Sequence, residues 1–436
     1  MRMKRWVASL ITALVVTPSV GVGASYALEP PVNAPPASTS APLPTEAGVS
    51  ASINKLVNSK SLGTAGVVVV DGATGTLLYG SDAGQALVPA STTKVLTAAA
   101  VLESLGPTSR ITTSARRLGN TVYLIGAGDP TLRSKPVKRV KPNSPASLAD
   151  LAEQIDTALG TDSTIDLVFD DSLFTGKELG PGWKSSYPAL GVSAPISALM
   201  VDGARKTPGG NARIADPARQ AARTLAKQLR GLGVKVTSVK PGAAPSIART
   251  IASVQSAPVS SIVETMLTDS ENTYAEMLGH LVGVKEGSGG NFAGAALATE
   301  AVLADAGIDD VGLDLYDSSG LSPKNRISPD TLAEVLTDVA QGSKPTWAAI
   351  GTGLAVGGKT GTLKTRFRSE STKAGKGVVH AKTGTLTGVS SLAGWTTDED
   401  RRLLVFAVIA NKVSSLAKAR NTIDRIASRL SECGCS

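Results

Sequence analysis

Ser91, Lys94, Ser270, Asn272 and Lys382 are the residues whose types and spacing could do chemistry together in this chain of 436 residues. Pro89-Ala90-Ser91-Thr92-Thr93-Lys94 opens a run of helix formers, Val95-Leu-Thr-Ala-Ala-Ala-Val-Leu102, that is apolar on nearly every side. A helix of that kind is buried. Lys94 lies one turn beyond Ser91 on the same face. A Lys head held in the core loses hydration, so its neutral form becomes accessible. A neutral amine beside a Ser hydroxyl can take its proton and make it a nucleophile. By itself S-x-x-K describes equally well a Ser N-cap followed by a solvated Lys. The chain has only two His, so a Ser-His-Asp arrangement would need His280 or His380. No convincing G-x-S-x-G elbow accompanies either.

Two further motifs alter that balance. Ser270-Glu271-Asn272 sits between two helical patterns, Ile262-Val-Glu-Thr-Met-Leu267 and Tyr274-Ala-Glu-Met-Leu278. In such a short loop a hydroxyl and an amide can face a cleft, although a plain capping sequence reads the same way. Lys382-Thr383-Gly384-Thr385 lies on Val378-Val-His-Ala-Lys-Thr-Gly384, an expected strand whose alternation puts Lys382 and Gly384 on one face. The glycine lets another backbone approach closely. A Lys on an edge strand also serves as ordinary protection against aggregation. S-x-x-K, S-x-N and K-T-G in this order, each in its expected local context, form a strong joint signal.

The elements that must position these residues can be read coarsely. Gly66-Val-Val-Val-Val70 and Thr76-Leu-Leu-Tyr79 flank a Gly-rich turn and read as a hairpin. Leu403-Leu-Val-Phe-Ala-Val-Ile409 is a fully apolar strand, with Val389 to Thr396 beside it. A terminal helix is expected over about 415–432, with further helices over 217–232, 260–267, 273–281, 295–306 and 328–339. Strands at both chain ends with helices between them predict an α/β domain whose sheet both termini close.

Composition sets the class. Hydrophobic residues make up 42% and charged residues 18%, which excludes a disordered or fibrous chain. Aromatics at 3% argue against stacking platforms for single-stranded nucleic acid. The net charge of +8 could suit nucleic acid, but suits an anionic cell wall or membrane surface equally well. A zinc cluster would need His280, His380, Cys433 and Cys435 to converge, so no metal site is expected. Cys433 and Cys435 leave an oxidised pair, free thiols and intermolecular bonds all open.

Arg2, Lys4 and Arg5 precede an uncharged, mostly apolar stretch from Trp6 to Val22 and the small residues Gly23-Ala24-Ser25-Tyr26-Ala27. This layout is a secretory signal, residues 1–27, with cleavage after Ala24 or Ala27. An uncleaved membrane anchor is the alternative. Six prolines among Ala, Ser and Thr make residues 28–46 an extended linker. An exported chain, working in the extracytoplasmic envelope or secreted, follows. It also disqualifies Gly353-Leu-Ala-Val-Gly-Gly358-Lys359-Thr360, which matches a P-loop by letters but has only a weak strand before it and no helix opening after it.

At these motifs the chain resembles the penicillin-recognising serine enzymes, and within them the type-4 penicillin-binding proteins, D-alanyl-D-alanine carboxypeptidases. Gly126-Ala-Gly-Asp-Pro-Thr-Leu132, Phe169-Asp-Asp-Ser-Leu-Phe174, Ala194-Pro-Ile-Ser-Ala-Leu-Met-Val-Asp202, Ser270 to Leu278 and Asp317-Ser-Ser-Gly-Leu-Ser322 look like blocks of that family. The resemblance implies a β-lactamase/transpeptidase-like antiparallel sheet flanked by helices, built from residues 47–108 and 250–436, with a large insertion over 109–249. K-T-G-T-L occurs twice, at Lys359 and at Lys382. The first copy resembles the family's G-x-D-G-T-L block, so the substrate strand is expected at Lys382, with Lys359 its rival.

The resemblance further implies an acyl-enzyme on Ser91, with Lys94 as base and Ser270 and Asn272 beside it. Lys382, Thr383, Gly384 and Thr385 would bind substrate. The expected partners are peptidoglycan stem peptides and, as covalent inhibitors, β-lactams. No cofactor, nucleic acid or membrane contact is implied beyond an uncleaved signal. The alternatives are a β-lactamase, a serine esterase of the same fold, and a non-catalytic wall-binding protein.

Overall fold

The computed structural model describes residues 41–137, 141, 143–161 and 163–434. The expected signal, the linker up to residue 40 and Cys435 lie outside the described residues.

The main sheet has six strands from both ends of the chain. Thr64–Asp71 (β1) and Leu77–Ser81 (β2) are the expected hairpin. Its turn is tied by Asp71, whose Oδ2 accepts from the Thr74 N–H at 2.8 Å and from the Thr74 hydroxyl at 2.6 Å. Between these strands and the rest of the sheet the chain makes a second one. Its strands are Arg110–Leu118 (β3), Thr121–Ile125 (β4), Thr164–Asp170 (β5), Lys235–Pro241 (β6) and Arg249–Pro258 (β7). The main sheet resumes with Ala355–Val356 (β8), His380–Leu386 (β9), Val389–Thr397 (β10) and Leu403–Asn411 (β11). Its order is β2-β1-β11-β10-β9-β8, with every pair antiparallel.

The all-apolar character of β11 has a simple cause. Leu403, Val405, Ala407 and Ile409 join one core, and Leu404, Phe406, Val408 and Ala410 join the other. Successive side chains face opposite sides of a sheet, and both sides here are covered. One cover contains the helix Thr93–Leu105, buried continuously from Thr93 to Leu102. The other contains Glu46–Val57 and Leu416–Ser431.

The expected helices appear at Pro217–Gly231, Val259–Thr268, Asn272–Lys285, Phe292–Asp305 and Pro329–Gln341. Glu46–Val57 is a further helix, beyond those the sequence pattern predicts. The Thr45 side chain caps it by accepting from the Gly48 N–H at 3.1 Å.

The second sheet, ordered β6-β5-β4-β3-β7, packs on Leu148–Leu159 and Pro217–Gly231 around its own core. Because β7 pairs with β3, this sheet runs on to Pro258, past residue 249. A fourth cluster ties the second unit to the first: Ala194, Ile196 and Met200 pack on Met277 and Phe292. Trp183 Nε1 donates to Asp317 Oδ2 at 2.7 Å across the same boundary.

The P-loop lookalike has helix Ala348–Gly353 before it and only the short turn Gly361–Leu363 after it. A P-loop needs a strand before it and a helix after it. His280 packs between Phe174 and Phe292, and His380 stacks on Trp395. Cys433 is buried and disulfide-bonded.

Candidate active site

Ser91 lies in the tight turn Ala90–Thr92 that leads into the helix Thr93–Leu105. Ala90 is held at φ 52°, a conformation that costs a non-glycine residue free energy and persists only where the surroundings enforce it. One enforcing contact is Gly320, where a Cβ would stand 1.9 Å from the Ala90 carbonyl oxygen.

Lys94 is fully buried. Its Nζ reaches Ser91 Oγ at 3.0 Å, Asn272 Oδ1 at 2.7 Å and the Ser319 carbonyl at 2.7 Å. An ammonium has three N–H donors for those three acceptors. A neutral amine has two, which the Asn272 and Ser319 oxygens can only accept. Its lone pair is thereby left facing the one partner able to donate, the Ser91 hydroxyl. Burial lowers the Lys94 pKa to about 8, against the opposing pull of Glu276, Asp317 and Glu271.

Ser270 and Asn272 bracket the start of the helix Asn272–Lys285. Ser270 adopts φ 59°, another left-handed non-glycine position. Asn272 Nδ2 donates to the Val192 carbonyl at 2.8 Å, which fixes the amide and aims its oxygen at Lys94.

The third wall is β9. Lys382 is fully buried and its Nζ donates to Ser270 Oγ at 2.8 Å and to the Thr383 carbonyl at 2.9 Å. Burial, then the nearby Lys94 charge, holds its pKa well below the ordinary Lys value. Gly384 sits against the Ser91 turn: a Cβ there would lie 2.7 Å from the Pro89 carbonyl oxygen and 3.1 Å from the Ser91 nitrogen. On its outer side β9 is paired with β8 only at His380 and Ala381. From Lys382 onward that edge has no neighbouring strand among the described residues, and an extended peptide can add to it.

Lys359, the rival, is exposed on a glycine-flanked turn. Its copy of the motif still touches the site through Thr362, whose Oγ1 accepts from the Thr383 hydroxyl at 2.9 Å.

Two buried carboxylates support the site from below, and motif reading had not singled out their roles. Glu276 follows Asn272 by one helical turn and accepts from the Ser318 and Ser319 N–H groups at 3.1 and 2.8 Å. Burial and the neighbouring Asp317 raise its pKa to about 8. Asp317 accepts from Gly320 N at 2.8 Å and from Asn325 Nδ2 at 2.7 Å. Together they shape the loop that presents the Ser319 carbonyl to Lys94. The i, i+4 spacing of Asn272 and Glu276 was the available signal, since both fall on one helix face.

A helix-borne Ser–Lys pair, a Ser–Asn loop and a Lys-bearing strand edge around one cleft define the penicillin-recognising serine peptidases. The chain belongs to the D-Ala-D-Ala carboxypeptidase 3 (S13) family, whose sequence pattern matches residues 49–211 and 204–433, and it is a serine-type carboxypeptidase. It is 37% identical to a carboxypeptidase of Mycobacterium tuberculosis over 92% of this chain and 87% of that one. With carboxypeptidase DacB of Mycolicibacterium smegmatis it shares 35% identity over 98% and 96% of the two chains. The fold matches the crystal structure of penicillin binding protein 4 from Haemophilus influenzae, with a TM-score of 0.70 and 20% identity over 88% of this chain and 98% of that one.

Proposed function

We propose that this protein removes the terminal D-Ala from peptidoglycan stem peptides ending in D-Ala-D-Ala, through an acyl-enzyme on Ser91. The observation that carries the reading is the contact of a fully buried Lys94 with Ser91 Oγ at 3.0 Å. Neutral Lys94 takes the Ser91 proton as Oγ attacks the penultimate carbonyl. The backbone N–H groups of Ser91 and Thr385 stabilise the oxyanion, where pre-oriented dipoles contribute several kcal/mol. As the C–N bond breaks, the leaving D-Ala amine takes the proton that Lys94 received, relayed by Ser270, so Lys94 is again neutral and Lys382 keeps its charge. Water then hydrolyses the ester and frees Ser91. Lys382 and Thr383 hold the terminal carboxylate by charge-assisted hydrogen bonds, which restricts the enzyme to free chain ends.

Penicillins carry a carboxylate in the same place relative to their reactive carbonyl and acylate Ser91. The Mycolicibacterium relative is a carboxypeptidase by name, and a β-lactam complex of the Haemophilus protein has the same fold at a TM-score of 0.65. We read the unit built on β3–β7 as an insertion into the catalytic domain, and the chain as exported. No helix among the described residues is long and apolar enough to cross a membrane. Covalent labelling by a fluorescent penicillin, with D-Ala release measured alongside, tests the reading. An unlabelled wild-type protein would refute it, and rapid nitrocefin turnover would point to a β-lactamase instead.

A further inference from the structure

A cavity of 1270 Å³ lies beside the Ser270–Asn272 loop, on the side of the second sheet. It is bounded by the segment after β4, by residues 202–228 and by Glu271, Thr273 and Tyr274 of the catalytic domain. Eight Lys or Arg line it, against three Asp or Glu. Two of those carboxylates are already engaged. Asp216 pairs with Arg219 at 2.8 Å, and Asp202 accepts from the Ser134 N–H at 3.0 Å. Among the described residues no ion pair neutralises Arg133, Arg205 or Arg213.

The two central guanidiniums are held in place rather than free to swing into solvent. Arg205 Nη1 donates to the Gly210 carbonyl and Arg213 Nη1 to the Gly203 carbonyl, each at 2.8 Å. Arg205 and Arg213 are also bridged through their backbones. Arg213 Nε is buried without a hydrogen-bond partner among the described residues. Burial and the adjacent Arg205 charge both work against Arg213 carrying its own charge. Like charges fixed together at a partly desolvated site raise the free energy of the empty site, and an anion that binds there relieves it.

The third acidic residue, Glu271, connects the cavity to the chemistry. It stands between Ser270 and Asn272, and its charge acts on Lys94, Arg213 and Tyr274 alike. The volume is above the usual range for a small-ligand pocket and far more than one carboxylate fills. An extended acidic chain fits it better.

We propose that this cavity binds free carboxylates of the peptide substrate on the acyl side of the bond opened at Ser91, so that the enzyme selects acidic peptides over neutral ones. The inference rests on the carboxypeptidase reading. In that reading the leaving residue's carboxylate goes to Lys382 and Thr383, and the rest of the peptide has to leave the cleft by another route. The Ser270–Asn272 loop, which this cavity adjoins, provides one.

The test compares two substrates: a stem-type pentapeptide with several free carboxylates, and a blocked, neutral tripeptide ending in D-Ala-D-Ala. The variants are Arg205→Ala, Arg213→Ala and the exposed double reversal Arg223→Glu/Lys227→Glu, which spares the two half-buried arginines. Each is expected to lower kcat/KM on the acidic peptide by roughly tenfold or more, mainly through KM. Turnover of the neutral tripeptide and acylation by penicillin should stay within about twofold. The wild-type preference for the acidic peptide should also shrink as salt rises. Equal losses on both peptides, or no loss on the acidic one in any variant, would overturn the proposal. Failure of the carboxypeptidase reading looks different, because the wild-type protein would then release D-Ala from neither peptide.

Discussion

Lys94 and Lys382 enter one cleft from different elements, a helix and a strand edge, and each places its Nζ on a different serine, Ser91 and Ser270. Both are fully buried, and each charge opposes the other. Two ammonium groups in a desolvated site repel strongly, so the arrangement favours at least one neutral amine. Lys94, with its lone pair directed at Ser91, is the one positioned to act as a base.

Acylation should therefore depend on pH in a definite direction. In the proposed mechanism neutral Lys94 is the active form, and its pKa is lowered to about 8, so the second-order rate with penicillin should rise through that region as pH increases. Glu276, where it is ionised, supports the ammonium form, and Glu276→Gln should move the midpoint to lower pH. A midpoint that stays put or moves upward would remove Glu276 from this role.

Ser91→Ala should abolish both penicillin labelling and D-Ala release while the melting temperature stays near that of the wild type. A labelled band from this variant would locate the nucleophile elsewhere.

The two K-T-G-T-L copies can be separated by single substitutions. Lys382→Ala removes a charge-assisted contact and should cost about 1.5–3 kcal/mol, a ten- to hundredfold drop in acylation rate. Lys359→Ala removes an exposed side chain and should change the rate by no more than about 0.5 kcal/mol. The reverse pattern in stopped-flow labelling would move the substrate strand to the first copy.

Gly384→Ala tests the closeness of β9 to the nucleophile. The new methyl would stand 2.0 Å from Ser391 Oγ and 2.7 Å from the Pro89 carbonyl oxygen, so the strand and the Ser91 turn have to separate. A displacement of about 1 Å at such a site can cost on the order of a hundredfold in rate. Acylation at the wild-type rate would mean that the strand need not lie so close.

Stability away from the cleft should depend on the Asp71–Arg402 pair. Arg402 Nε and Nη2 donate to the two Asp71 oxygens at 2.5 and 2.8 Å, both side chains are buried, and the pair joins the end of β1 to the start of β11. Burial alone would raise the Asp71 pKa, but hydrogen bonds from Arg402 and Thr74 bring it below the ordinary 3.8. A lowered carboxyl pKa stabilises the fold above the unfolded value, and that share is lost as pH falls through the folded one. Arg402→Ala leaves Asp71 buried and unpaired, which should cost about 3–5 kcal/mol in urea unfolding. A loss below 1 kcal/mol would show that the pair does little for the fold.

The chemistry-bearing residues and the main sheet were legible in the sequence because their signals are local. An all-apolar run such as Leu403–Ile409 has to be a strand covered on both faces, and Ser91 to Lys94 is one helical turn whatever the rest of the chain does. Other features depended on the tertiary structure. The letters K-T-G-T-L are the same at Lys359 and Lys382, and only packing exposes the first lysine and desolvates the second beside Lys94. The first copy still contributes Thr362, which its spacing could not reveal because the contact joins separate segments through Thr383. Glu276 and Asp317 read as ordinary polar residues until the fold buries them beneath the loop that presents Ser319. The helix Glu46–Val57 was masked by the Pro-rich stretch before it, and its apolar face is explained only by the sheet it covers. Periodicity and short motifs are properties of neighbouring residues. Desolvation, charge proximity and the open edge of β9 are set by residues far apart in the chain, and so only the folded arrangement determines them.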